Sequence, residues 1–408
     1  MPTPLMTYLN TILRPGALDE LESVLGDDLS PSILAVIDKT AYVHSGACAR
    51  IEGLLALRRT HVFTDFEPNP KIEDVLRGIM VYKSCAPQII LAIGGGTAID
   101  TAKLISCLAH TDAPINVVQG RDVTPSRQAR LIAIPTTAGT GSEATQFAVV
   151  YIDGQKYSLD HSTLLPDVAI IDPSLMQSLP PAVTAATGLD ALCQAIESIW
   201  AVNANDESIE YADQAIELAY GSLAEATRHP TLETRGAMCR ASHLAGQAIN
   251  ITRTTACHAL SYAITSTHGI PHGIAVAMTL IPVLRFNVAV CDDDCTDPRG
   301  AEAVRSRIAR LLKSLGALTV DDACDKLQRL LQDIGCPVCL SHAGITSPSA
   351  VSEIVQSVNV QRMLNNPRVT TPSILSEILR WTPAIPDSSP DDPEHQHASS
   401  LPHHVSHL

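Results

Sequence analysis

Within this 408-residue chain, two pairs of residues have the types and spacing to do chemistry. One is His258 and His272, fourteen apart, in Cys257-His258-Ala-Leu-Ser-Tyr262 and His268-Gly-Ile-Pro-His272-Gly, with a proline-containing turn before the second histidine. The other is Asp190 and Gln194, four apart in Thr187-Gly-Leu-Asp190-Ala-Leu-Cys-Gln194. Four residues on a helix bring two side chains to one face. A lone histidine is more often a satisfied core residue. A carboxylate, an amide oxygen and two imidazoles that converge, however, make an octahedral or tetrahedral site for Fe(II) or Zn(II). Residues 157–227 contain eleven Asp/Glu and no Lys/Arg, which favours a cation near Asp190, although most of these acids read as solvated helical surface.

Two further segments could hold phosphate. Gly94-Gly95-Gly96-Thr97-Ala98-Ile99-Asp100-Thr101-Ala102-Lys103 follows an apolar run and opens a helical one. Glycines let the backbone approach a phosphate, and a helix N-terminus offers unpaired N–H groups. The spacing is not the G-x-G-x-x-G of the common dinucleotide fold. Ile134-Pro-Thr136-Thr137-Ala-Gly-Thr140-Gly-Ser-Glu143 places four hydroxyls and two glycines in seven residues after another apolar run. Either loop alone could be a plain turn, but two at the ends of parallel strands favour a dinucleotide.

The elements that must carry these loops come in two kinds. Up to about residue 180, strand-like runs at 32–38, 89–93, 131–134 and 168–171 alternate with helical stretches at 41–57 and up to 108, predicting a parallel sheet wrapped by helices. After Pro180-Pro181 the segments 183–200, 206–227, 235–249, 255–267, 273–290, 301–315 and 320–334 carry helical periodicity. The expected organisation is an α/β dinucleotide-binding domain over 1–180, an all-α metal- and substrate-binding domain over 181–382, and a disordered Pro/Ser/Asp/His-rich tail over 383–408.

Composition narrows the function classes. With 43 acidic and 28 basic residues the net charge is −15, and aromatics make up 3%, so nucleic acid is a poor partner. Residues 254–284 lack Asp, Glu, Lys and Arg, but their histidines, Pro271 and hydroxyls fit a buried helical region better than a membrane span. The eleven scattered cysteines do not form a secreted disulfide framework, and neither Cys336-Pro-Val-Cys339 nor Cys291/Cys295 has a partner pair at zinc-finger spacing. The N-terminus lacks a leader-like pattern, and a cytoplasmic homodimer or higher homo-oligomer is expected.

The segments 94–103, 134–145, 164–198 and 258–287, with the Glu67-Pro-Asn-Pro70 turn and Asn365-Asn-Pro367, resemble the signatures of the iron-containing (group III) alcohol dehydrogenase family over about residues 31–380. The resemblance implies a dehydroquinate synthase-like fold with metal and substrate in a cleft between the two domains. It implies NADH as cofactor, with Gly95, Gly96, Thr97, Asp100, Thr136, Thr137 and Thr140 around phosphates and nicotinamide. Asp38 would stand at the adenosine ribose and Lys156 at the nicotinamide ribose. Asp190, Gln194, His258 and His272 fall on the family's ligand positions. Gln194 replaces the usual histidine ligand with a weaker one. Tyr262 replaces a histidine implicated in proton relay, so Tyr262 and Lys156 are the candidate catalytic residues.

Within the family, 248–262 and the stretches Leu192-Cys-Gln194-Ala-Ile-Glu and Lys156-Tyr-Ser158 resemble phosphonoacetaldehyde reductases, which form 2-hydroxyethylphosphonate. That implies a small anionic aldehyde as substrate, clamped by Arg253, Thr254 and Thr255. The competing readings are a generic short-chain aldehyde reductase and a dinucleotide-binding protein without turnover.

Overall fold

The computed structural model describes residues 10–358 and 363–383. In chain order the N-terminal part runs β1 (Asn10–Leu13), α1 (Leu21–Leu25), β2 (Ile33–Ile37), α2 (Lys39–His44), α3 (Ala47–Ala56), β3 (Thr60–Phe63) and α4 (Ile72–Cys85). It continues with β4 (Ile89–Gly94), α5 (Gly96–Leu108), α6 (Pro114–Val118), β5 (Arg130–Pro135), β6 (Phe147–Ile152), β7 (Gln155–Asp160) and β8 (Val168–Ile171). Six strands form one sheet in the order β1-β8-β5-β4-β2-β3, every pair parallel. A sheet covered on both faces needs near-continuous apolar strands, and Ile33-Leu-Ala-Val-Ile37 and Ile89-Ile-Leu-Ala-Ile93 supply them. Leu34, Val36, Ile90 and Ala92 pack against α4 and α5, while Ile33, Ala35, Ile89 and Leu91 pack against α1 and α3 on the other face.

The expected single helix over 41–57 is two helices. Gly46 has φ 78°, a left-handed conformation that glycine adopts without the Cβ penalty, and it breaks the run between α2 and α3. The four expected strands are present, and β1, β3 and the β6–β7 hairpin are additional. The hairpin turns at Asp153 (φ 50°) and Gly154 (φ 75°), the positive-φ pair that a two-residue turn between twisted strands requires.

From Pro181 the chain is helical: α7 (Pro181–Trp200), α8 (Asp206–Arg228), α9 (Leu232–Thr252), α10 (Ala256–His268), α11 (His272–Val288), α12 (Ala301–Ser314), α13 (Val320–Asp333), α14 (Pro348–Gln356) and α15 (Pro372–Arg380). Capping boxes at Asn205/Ser208 and Thr231/Thr234 start α8 and α9. Helix α7 is buried almost all round from Thr184 to Trp200 and packs against α8, α9 and α11, so any polar group on it must find a partner inside the protein. No helix among the described residues is long and apolar enough to cross a membrane. The tail expected from residue 383 onward lies, apart from Pro383 itself, outside the described residues.

Candidate active site

The order in which strands are added reverses between β2 and β4: β3 follows β2 to one side, and β5 follows β4 to the other. Such a switch point leaves a crevice at the carboxyl ends of the strands. Asp38 closes β2 there and caps α2, its carboxylate accepting from the Ala41 N–H at 3.0 Å. Gly94 ends β4 beside it, where an added Cβ would stand 2.9 Å from the Asp38 Cβ. Gly95 precedes α5, and a Cβ on Gly96 would meet the Thr140 methyl and hydroxyl at 2.8 and 2.9 Å. The two glycines therefore face Thr137 and Thr140 of the loop after β5, and the helix N-terminus opens onto that gap.

Three of the expected cofactor residues also make contacts within the protein. The Asp100 carboxylate accepts from the Ser142 hydroxyl and from the Val149 N–H at 2.9 Å, so it ties α5 to the hydroxyl loop and β6. Thr97 Oγ1 accepts from the Asn69 N–H at 3.3 Å, tethering the Glu67–Pro70 turn. Thr136 donates its backbone N–H to the Gly94 carbonyl at 3.0 Å, and its side chain is buried. Lys103 was not singled out by sequence. It is fully buried, and its ammonium donates to the Thr145 and Phe147 carbonyls at 2.8 and 2.9 Å. Burial pulls its pKa down to about 8 against the opposing charges of Asp100 and Glu143.

Across this gap lies α7. Gln194 points its amide nitrogen at the Thr140 carbonyl, 3.4 Å away, leaving its Oε1 buried without a hydrogen-bond partner. One turn earlier the Asp190 carboxylate lies 3.2 Å from His258 Nε2 and 3.9 Å from His272 Nε2. Ligand atoms of Asp190, His258 and His272 all lie within 4.8 Å of one another, the one such group of His, Cys, Asp and Glu among the described residues. Cys336 and Cys339 are buried free thiols. The close approach depends on Gly273, because a Cβ there would overlap the Ala186 carbonyl oxygen and stand 2.8 Å from the Asp190 nitrogen. Gly269 (φ 69°) ends α10 and Pro271 starts α11, so His272 is the first residue of the returning helix.

In the cluster Asp190 and His258 are buried and His272 is partly exposed. Burial would raise the Asp190 carboxyl, but the His258 hydrogen bond and the charges of His272, His258 and Lys156 hold it below the usual carboxylate range. Burial would lower His258, yet the Glu197 charge and the hydrogen bonds to Asp190 and Glu197 push it up to about 9. A carboxylate faced by two imidazole Nε2 atoms, with an orphaned amide oxygen on the next turn of the same helix, is a donor set that fits a divalent ion.

Lys156, on β7, sits with Nζ 3.6 Å over the centroid of the Tyr262 ring, and Tyr262 stacks on His272 at 5.7 Å and 5°. These two expected catalytic residues therefore join the cluster. The expected substrate clamp is used differently. Arg253 caps α9 with φ 64°, donates from Nε to Asp160 at 2.8 Å and lies over the Phe147 ring, pointing to the hairpin. Thr255 is buried, with its hydroxyl accepting from Trp200 Nε1 at 2.9 Å and donating to Glu197 at 2.5 Å. The Thr254 carbonyl accepts from Asn365 at 3.0 Å, which gives the Asn365-Asn366 pair a fastening role. Glu197 and Ser261, which touch the two imidazoles, were missed. The signal existed: Asp190, Gln194 and Glu197 follow i, i+4, i+7 on a helix with no other carboxylate, and Ser261 stands three after His258.

A glycine-and-hydroxyl cradle and a metal-type cluster on opposite walls of one crevice define a dinucleotide-dependent, metal-using class of fold. Family models agree: residues 10–173 match iron-containing alcohol dehydrogenase, and residues 184–382 match the C-terminal part of the Fe-containing alcohol dehydrogenase family. The chain belongs to the iron-containing alcohol dehydrogenase family. It is 36% identical over 266 residues to a 1-propanol dehydrogenase of Salmonella typhimurium, covering 64% of this chain and 66% of that one. It is 37% identical over 258 residues to a phosphonoacetaldehyde reductase of Streptomyces viridochromogenes, covering 61% and 65%. These matches thus span slightly under two thirds of each relative's length. The structure of a sulfoacetaldehyde reductase from Bifidobacterium kashiwanohense in complex with NAD+ superimposes with a TM-score of 0.81 and 29% identity, covering 93% of this chain and 98% of that one.

Proposed function

We propose that this protein is an NADH-linked, metal-dependent reductase of a small anionic aldehyde, with phosphonoacetaldehyde, reduced to 2-hydroxyethylphosphonate, as its substrate. The observation that carries the reaction type is the meeting of Asp190, His258 and His272 within 4.8 Å, with Asp190 one helical turn before Gln194, whose Oε1 is orphaned and whose amide nitrogen faces the Thr140 carbonyl. Asp190, Gln194, His258 and His272 would hold the metal, Fe(II) or Zn(II). Gly95, Gly96, Thr137 and Thr140 would hold the cofactor. When bound, the ion supplies Lewis-acid polarisation of a carbonyl oxygen and the nicotinamide supplies hydride. The chain's own residues do the rest. The packed α7, α10 and α11 fix the ring planes, and the Tyr262 hydroxyl holds the proton that the product oxygen requires. Lys156 over the Tyr262 ring keeps a positive charge at that end of the crevice.

The anionic end of the substrate is assigned to Lys156. Arg253 is committed to Asp160 and would have to exchange that carboxylate for the phosphonate. Two of the relatives named above act on aldehydes with an anionic head, and the 1-propanol dehydrogenase, of comparable identity, supports the generic alternative. The test is NADH oxidation against phosphonoacetaldehyde, sulfoacetaldehyde and propanal. A kcat/KM at least ten-fold higher for phosphonoacetaldehyde supports the assignment, and equal values for all three give the generic reading. Cofactor binding without turnover of any aldehyde would leave only a dinucleotide-binding protein.

A further inference from the structure

Each imidazole of the cluster has both ring nitrogens engaged. His258 donates from Nδ1 to Glu197 Oε2 and turns Nε2 to Asp190. His272 places Nδ1 3.3 Å from the Ser261 hydroxyl, which itself donates to the His258 carbonyl at 2.8 Å, and turns Nε2 to Asp190. The two partners are unequal. Glu197 is fully buried, and its other oxygen accepts from the Cys257 N–H at 2.8 Å and the Thr255 hydroxyl at 2.5 Å. Thr255 is held in turn by Trp200 Nε1 at 2.9 Å. No Lys or Arg side chain forms an ion pair with Glu197 among the described residues, and His258 is its one ion-pair partner there. A buried carboxylate is costly unless paired, so its place on α7 seven residues after Asp190 calls for a reason beyond packing.

We propose that Glu197 is a positioning residue that fixes His258 as a metal ligand, with Trp200 and Thr255 forming the strut that holds Glu197 in place. A carboxylate in this setting can only accept, so the hydrogen sits on Nδ1 and the Nε2 lone pair is left for an ion beside Asp190. The carboxylate also makes the imidazole a stronger donor. That matters here because the fourth candidate ligand, Gln194, is a neutral amide. The inference rests on the metal-dependent reading above.

The test measures Zn(II) affinity by chelator competition, and NADH affinity by fluorescence, in the full chain and in Glu197→Gln. The variant is expected to bind Zn(II) about 10–100-fold more weakly, with NADH affinity unchanged. Thr255→Val, which removes the strut hydroxyl and keeps the shape, is expected to weaken Zn(II) several-fold. Restoring an acceptor by Glu197→Asp should recover part of the affinity that an alanine at the same position loses. A folded Glu197→Gln that holds Zn(II) as tightly as the parent overturns the proposal. If that variant does not fold, unchanged affinity in Thr255→Val overturns it. A parent chain that binds no metal would instead overturn the reading on which it rests.

Discussion

Gln194 holds a buried amide oxygen without a hydrogen-bond partner, one turn from a buried carboxylate. Replacing it with histidine offers imidazole in place of an amide. Gln194→His is expected to raise metal affinity, measured by chelator competition, while altering turnover. His272→Ala removes a donor whose Nε2 faces Asp190, and it should lose bound metal and activity together. Asp38 makes a different prediction. A 2′-phosphate at the β2 terminus would meet its carboxylate, a repulsion on the order of a few kcal/mol at an effective dielectric of about 20. NADH should therefore be preferred to NADPH, and Asp38→Gly should narrow the ratio of kcat/KM by ten-fold or more. Equal use of both cofactors by the parent chain would refute the assignment.

At the scale of elements, what could be read in the sequence depended on whether the signal was periodic or three-dimensional. Helix α7 is legible from its Ala/Leu/Ile run, and β8 from Val168-Ala-Ile-Ile171, because burial imposes continuous apolar stretches. Strands β1 and β3 are four residues long and lie at the sheet edges, where one side needs no apolar cover, so neither carries that pattern. The β6–β7 hairpin was legible in principle from Asp153-Gly154, a turn signal between two strand-like runs. Asp190, Gln194, His258 and His272 stand out by type and spacing. Glu197 requires the third helical repeat to be noticed, and the commitment of Arg253 to Asp160 needs the hairpin in place first. Gly273 shows how tightly two elements must meet for the site to exist. Gly273→Ala should force α11 from α7, cost about 1–3 kcal/mol in urea unfolding, and weaken metal binding far more than NADH binding. Unchanged metal affinity in that variant would mean that the helices can yield without moving His272.

Over the whole molecule, the site exists because two differently built parts meet along one loop. The hydroxyl loop after β5 touches α5 through Gly96 and Thr140, α7 through Gln194, and α9 through Gly141, whose Cβ would stand 2.5 Å from the Gly246 Cα. His243 on α9 adds a buried bridge, reaching Glu143 and Thr11 at 3.2 Å each. The candidate ligands come from α7, α10 and α11, so a bound ion would link three helices of the second part. The most direct test is aldehyde-dependent NADH oxidation before and after exhaustive chelation, with metal content measured on the same samples. One divalent ion per chain, loss of activity with the ion, and recovery on adding back Fe(II) or Zn(II) are the results expected. Full activity in the metal-stripped protein would contradict the account.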